Sequence, residues 1–350
     1  MSSVPKTMKG VVYYNNSDVR LEEMPVPEIG PREVLVKMEA CGLCGSELTE
    51  YYMVPRAPLV MGHEPTGVIA KVGKEVTWLK EGDRVFAHHH VGCMSCHECN
   101  RGNYTMCENF RKDRLIPGGM AEYFKVPELN TYLDTLVLPD NVSFELGTLI
   151  EPLGCTLRGL KQTPIHYGDT VVIIGMGFIG LSYLVLVKLS GAGKIVVTDL
   201  NDWRLEQGLK HGATHAINSG REDPVERLKE INNGKGADAI FVAVPNIHVW
   251  DQALAMCRKG ATMSFGTPLN PNINWALNPY DLWLSEVKMN YTYSTSHLET
   301  SAILDLLASG RLNVEDFITH RFGLDQVPQA IELYQQAGES IKQVILPTML

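Results

Sequence analysis

The stretch VVIIGMGFIG (Val171–Gly180) constrains the fold more than any other part of the sequence. Its four-residue apolar lead reads as a buried strand, and the glycines at 175, 177 and 180 form G-x-G-x-x-G where a helix opens. Asp199 closes the next apolar strand, KIVVTD, 19 residues beyond Gly180. Together these make a dinucleotide-binding fingerprint. Gly175 permits the tight turn, Gly177 admits the pyrophosphate, and Gly180 lets helix and strand pack closely. The phosphates then meet the free N–H groups at the helix start, which places Gly175, Gly177, Phe178, Ile179 and Gly180 at the cofactor. Asp199 suits the ribose hydroxyls and repels a 2′-phosphate, and Leu200 adds no cation, so NAD is expected over NADP. Arg204 is expected near the adenine or as a solvated helix residue. The alternative is that the glycines serve packing alone and Asp199 is a turn residue.

The run continues apolar to Val187, nearly membrane length. Three glycines in its first half and Lys188 at its end favour strand–turn–helix over a membrane span. From Thr156 onward, TVVIIG, KIVVTDL, HAINS, ADAIFVAV, ATMSFG and KMNYTYS alternate with amphipathic helical segments. Six strands with helical crossovers predict a parallel doubly wound sheet over residues 156–293. Residues 1–155 differ. Short β-segments such as KGVVYY, EVLVKMEA, GVIAKVG and DRVFAHHH, broken by Gly and Pro, predict an irregular β-barrel-like domain. Residues 294–350 are expected to pack back on it. At 350 residues and 45% hydrophobic, the chain can bury cores for two domains.

The net charge of −9 and the lack of a basic patch argue against nucleic acid and anionic membranes as partners. The opening MSSVPKTMKG lacks an apolar signal-peptide core, so a soluble, cytoplasmic protein is expected.

Four of the eight cysteines fall in GCMSCHECNRGNYTMC, at Cys93, Cys96, Cys99 and Cys107. Four thiolates fill a tetrahedral zinc shell and leave no open position, which predicts a structural zinc lobe over 93–107. An iron–sulfur cluster is the rival reading. A reactive metal needs an incomplete shell instead. Cys44 in GLCGSE, His63 and Glu64 in GHEPTG, and Glu151 in IEPLGC offer a Cys/His/Glu set from three distant segments. Singly, each has a plainer reading: a satisfied buried histidine, a surface carboxylate, a helix cap before Pro152. Cys41 reads as packing. His88–His90 read as polar strand-end residues; the alternative is that one face of that strand turns to a cleft.

Taken together, GLCGSE, GHEPTGVIAKVG, GDRV, the four-cysteine lobe, IEPL and GMGFIG…D resemble the zinc-dependent medium-chain dehydrogenase/reductase family, in its sorbitol, polyol and threonine dehydrogenase branch. The resemblance spans essentially the whole chain. It implies an α/β protein with a GroES-like β-barrel catalytic domain plus a doubly wound Rossmann domain, and an active site in the cleft between them. By position it implies catalytic zinc at Cys44, His63 and Glu64, with Glu151 at or near the metal, and a second, structural zinc in the lobe. Cys155, four residues after Glu151, is expected at the nicotinamide. The implied reaction is oxidation of a secondary alcohol, a polyol, sugar alcohol or its phosphate, to a ketone by NAD, with Ser46 passing the proton. Threonine-type or simple secondary-alcohol oxidation, a zinc-free reductase and a non-catalytic NADH-binding redox sensor are the alternatives. A homotetramer or dimer is implied.

Two positions depart from the family pattern. Thr49 stands where many relatives carry a relay histidine, and Glu47 replaces an aspartate expected to orient His63. Tyr51, Tyr52 and Arg56 lie in the loop TEYYMVPRAPLV, where Arg56 is a candidate contact for an acidic substrate.

Overall fold

The computed structural model describes residues 4–112 and 114–348. The chain divides into two compact units: residues up to Gly154 together with those from Thr295 onward, and Cys155–Ser294.

The first unit is built on antiparallel pairing. Strands β1 (Thr7–Asn15), β2 (Asp18–Pro25), β3 (Val34–Gly42), β4 (Leu59–Val60), β5 (Glu64–Val72), β6 (Arg84–Ala87), β7 (Tyr123–Val126) and β8 (Thr135–Val137) come from its first segment. Strands β15 (Ile318–Gly323) and β16 (Lys342–Leu346) come from its last. They form a three-stranded sheet, β2-β1-β4, and a seven-stranded one, β15-β16-β3-β5-β6-β8 with β7 also on β3. Val34, Val36, Met38, Ile69, Val85 and Phe124 are sealed in the core. Such residues contribute about 1.5–3 kcal/mol each on burial.

Register in the larger sheet decides the site. Gly42, the last residue of β3, pairs with Glu64, the first of β5. On the other side of β3, Val344 of β16 pairs with Gly42. On the other side of β5, Thr66 pairs with Phe86 of β6. Continuing that register by two residues brings His88 level with Glu64. Four chain segments remote in sequence therefore meet at one end of the sheet.

The second unit is a six-stranded sheet. Its strands are β9 (Thr170–Ile174), β10 (Lys194–Asp199), β11 (His215–Asn218), β12 (Ala237–Val242), β13 (Cys257–Phe265) and β14 (Lys288–Tyr291). All pair in parallel, in the order β11-β10-β9-β12-β13-β14. This is the doubly wound order read from the alternating pattern, with β9 at the centre. All five residues of β9 are buried, as helices on both faces require, so the strand reads as unbroken apolar sequence. The run after it is the helix Phe178–Lys188. No helix among the described residues is long and apolar enough to cross a membrane.

Candidate active site and metal centres

The glycine loop does three separate things. Gly175 sits at φ +91°, open to glycine and strained for other residues, and a Cβ there would lie 2.4 Å from Val244. A Cβ on Gly180 would lie 1.7 Å from the Gly175 carbonyl oxygen, so helix and loop pack at a distance only glycine permits. At Gly177, the N-cap of Phe178–Lys188, the nearest atom to an added Cβ is the Arg204 guanidinium at 3.8 Å, which leaves open space at the helix start. Phe178 and Ile179 form its first turn. Asp199 Oδ2 accepts from the Met176 N–H at 2.6 Å and Oδ1 from Asn201 N–H at 2.9 Å. The carboxylate thus ties the end of β10 to the loop, and each oxygen keeps a further lone pair. Leu200 beside it is 72% exposed and offers no cation. Arg204 Nε is buried without a hydrogen-bond partner.

In the first unit, donor atoms of Cys44, His63 and Glu64 lie within 4.8 Å of one another. Cys44 caps the short helix Gly45–Leu48 that follows β3. Glu47 in that helix is buried. Its Oε1 lies 3.2 Å from His63 Nδ1 and accepts from Gly62 N–H at 2.6 Å. The longer acid therefore still reaches the imidazole and holds Nδ1–H, while the ring also bonds the Cys44 side chain. Burial alone pulls the His63 pKa down, but Glu47 and Cys44 outweigh it and hold it well above its ordinary value.

Glu64 is fully closed to solvent, and its Oε1 has no hydrogen-bond partner. Burial pushes its carboxyl pKa up, opposed by Lys342 and His63. Sequence reasoning missed Lys342. Its Nζ lies 2.5 Å from Glu64 Oε2, and the side chain is 4% exposed. Burial works against the ammonium, but Glu64, Cys44 and Glu151 raise its pKa overall. The available signal was a lysine inside the largely apolar IKQVIL. A Cβ on Gly42 would come within 1.9 Å of Glu64 Oε2 and 2.9 Å of Lys342 Cε, so that glycine makes room for the pair. A thiolate, an imidazole with its far nitrogen fixed, and a carboxylate with a bare buried oxygen fit zinc.

The other expected residues are placed as follows. Ser46 is exposed, and its Oγ donates to Cys44 Sγ at 3.3 Å. Thr49 Oγ1 donates to the Gly45 carbonyl at 3.2 Å, a local turn bond. Arg56 stacks over the Tyr52 ring at 3.9 Å and donates to the Tyr52 carbonyl. Glu151 is buried on the helix Ile150–Lys161, which also carries the half-buried Cys155. The carboxylate of Glu151 groups with His88 and His89, and it also lies near enough to Glu64 and Lys342 to raise the pKa of each. Two of the three histidines are no strand-end surface: His88 is 0% and His90 3% exposed, and His89 between them is half-buried. Cys41 is fully buried, and burial raises its thiol pKa.

The sulfurs of Cys93, Cys96, Cys99 and Cys107 also converge within 4.8 Å, with no disulfide among them. Backbone N–H groups point at the sulfurs: Cys93 and Asn109 donate to Cys107 Sγ at 3.3 Å, and Cys99 donates to Cys96 Sγ at 3.5 Å. Donors from Ser95 lower the Cys93 pKa to about 6, whereas burial raises Cys99 to about 12. Four sulfurs wrapped by amide donors fit a closed tetrahedral ion.

A glycine-loop nucleotide unit, joined in one chain to a β unit with a mixed-donor metal set, defines a metal-dependent, dinucleotide-linked oxidoreductase. Residues 30–137 match the family model described as the alcohol dehydrogenase GroES-like domain, and 179–309 that of the zinc-binding dehydrogenases. A sorbitol dehydrogenase of Bacillus subtilis (strain 168) is 34% identical over 99% of both chains. A probable D-xylulose reductase A of Aspergillus clavatus is 32% identical over 93% of both. The solved alcohol dehydrogenase of Thermus sp. ATN1 superposes with a TM-score of 0.87 at 30% identity, over 97% of this chain and 99% of that one. The chain belongs to the zinc-dependent medium-chain dehydrogenase/reductase family. It is an enzyme, a zinc- and nicotinamide-dependent dehydrogenase acting on an alcohol.

Proposed function

We propose that this dehydrogenase oxidises a secondary hydroxyl of a polyol or sugar alcohol to a ketone, uses NAD in preference to NADP, and carries one catalytic and one structural zinc. The observation that carries the reading is the convergence of Cys44, His63 and Glu64 donors at the paired ends of β3 and β5. Cys44, His63 and Glu64 hold the catalytic ion, and the four-cysteine lobe holds the structural one. When bound, zinc supplies the Lewis acidity that lowers the pKa of a substrate hydroxyl, and the nicotinamide accepts the hydride.

The chain's own residues do the rest. Glu47 fixes the His63 ring. Lys342 neutralises one oxygen of Glu64. Ser46 Oγ, adjacent to the Cys44 sulfur and open to solvent, takes the hydroxyl proton as it releases its own outward. Thr49 is bonded to the backbone and stands outside this route. Arg56, folded onto Tyr52, favours an uncharged polyol over a sugar-alcohol phosphate. The free lone pairs of Asp199 and the uncharged Leu200 support NAD.

The sheet of the second unit supports a homo-oligomer. Its edge strand β14 carries Tyr291, 59% exposed, and the preceding helix Pro279–Ser285 exposes Trp283 at 74% and Tyr280 at 64%. The testing experiment is a panel of polyols, polyol phosphates, threonine and simple secondary alcohols with zinc-loaded protein and either cofactor. NADH formation from polyols, lost in Cys44→Ala while the lobe keeps its metal, is the expected result. Turnover unchanged in Cys44→Ala rejects the metal assignment, and preference for threonine rejects the substrate class.

A further inference from the structure

Beside the Cys44 centre lies a second group of donors that the catalytic reading does not use. One nitrogen each of His88 and His89 and an oxygen of Glu151 lie within 4.8 Å of one another. His88 is 0% exposed, and its Nδ1 stands 2.7 Å from Asp134 Oδ2, itself closed to solvent. Thr300 Oγ1 donates to Asp134 Oδ1 at 2.7 Å, so both carboxylate oxygens are engaged and the histidine ring is fixed. With Nδ1–H committed to Asp134, His88 Nε2 is the outward atom, and it has no hydrogen-bond partner. His89 Nδ1 is likewise buried and unpartnered. An unsatisfied buried polar atom costs about 1–3 kcal/mol, so two such nitrogens, on histidines whose donor atoms gather with a carboxylate, call for an occupant. A carboxylate that orients a histidine whose far nitrogen is bare is the arrangement that supports metal ligands.

We propose that His88, His89 and Glu151 form a second metal position next to the Cys44 centre, taking a divalent first-row ion such as zinc, with Asp134 as the residue that positions His88. Two imidazoles and one carboxylate match a three-ligand zinc site. The assignment commits Glu151 to this position and leaves Cys44, His63 and Glu64 as the complete protein shell of the first. The rings of His63 and His89 are 4.8 Å apart between centroids, so the two positions are neighbours. The proposal is independent of substrate and cofactor choice.

The test is cobalt loading of chelator-stripped full-length protein, read as ions per chain and as visible spectrum. Thiolate-to-cobalt charge transfer reports the Cys44 centre and the lobe, whereas a His/His/Glu position contributes only ligand-field bands. Wild type is expected to bind three ions, and the His88→Gln/His89→Gln variant two, with the thiolate bands intact. Glu151→Gln is expected to lose the same non-thiolate ion. Asp134→Asn, which removes no ligand, should weaken that ion 10–100-fold and spare the others. Two ions in wild type, three in the double histidine variant, or a change in the thiolate bands on Glu151→Gln overturns the proposal. Far-ultraviolet circular dichroism checks that each variant is folded, and Asp134→Asn remains decisive where the double variant is not.

Discussion

Lys342 Nζ stands 2.5 Å from Glu64 Oε2, with both side chains closed to solvent. Removing one partner of a buried pair leaves an uncompensated charge, which costs about 3–5 kcal/mol. Lys342→Met should therefore destabilise the metal-stripped protein by about that amount in urea denaturation. Zinc-loaded protein should lose less, because the dication supplies positive charge to the same carboxylate. Equal losses with and without zinc would show that Glu64 does not face the ion.

Glu47 holds His63 through Nδ1 at 3.2 Å. Glu47→Gln keeps the length and removes the charge that orients and polarises the ring. Zinc affinity at the Cys44 centre should fall about 10–100-fold, measured by competition with a chelating dye. The lobe, with its own four sulfurs, should be unaffected. An unchanged affinity would refute a positioning role for Glu47.

Asp199 joins the glycine loop to the end of β10. Asp199→Asn retains an oxygen for the Met176 N–H and deletes the repulsion toward a 2′-phosphate. The ratio of kcat/KM for NADP over NAD should rise by about tenfold, about 1.4 kcal/mol of discrimination. A ratio that stays flat would place specificity elsewhere.

Tyr183 is 1% exposed and packs on Phe241, with ring centroids 4.5 Å apart. Burial raises its pKa from 10.0 to about 12. A group whose folded pKa is raised contributes stability that is complete below the unfolded value and lost as pH climbs through the folded one. Between pH 10 and 12 wild type should lose roughly 2 kcal/mol more than Tyr183→Phe. Parallel pH profiles of the two proteins in denaturant titrations would contradict the assignment.

Trp283 is 74% exposed on the helix just before the edge strand β14. Trp283→Glu should shift the protein to a smaller species in sedimentation velocity while leaving its circular dichroism unchanged. An unaltered sedimentation coefficient would remove this edge from the proposed interface.

Motifs whose parts are neighbours in sequence were readable. The turn at Gly175–Gly180 is set by local backbone geometry and by one close approach, so its glycine spacing declares it. The lobe is legible for the same reason: Cys93 to Cys107 is short enough that spacing alone gathers the sulfurs. The parallel sheet was visible because burial on both faces makes its central strand β9 an almost unbroken apolar run, and because the further strands alternate with amphipathic helices along the chain.

The metal centre of the first unit was legible only in part. Cys44, His63 and Glu64 are marked by residue type, but nothing in their spacing says that β3 and β5 end side by side. Lys342, nearly 280 residues from Glu64, reaches it because β16 adds to β3 in one particular register. Asp134 and Thr300 reach His88 by folding alone. Glu151 shows the limit most clearly, since its type suited the Cys44 set and nothing in its spacing says that His88 and His89 gather with it. The sequence by itself determined which chemistry the chain carries, because residue types and local spacing fix donors, turns and strand character. Tertiary structure decided which donors share a centre and which charges are sealed together. Strand register is a property of two remote segments at once, and a slip of one residue would turn each side chain to the opposite face.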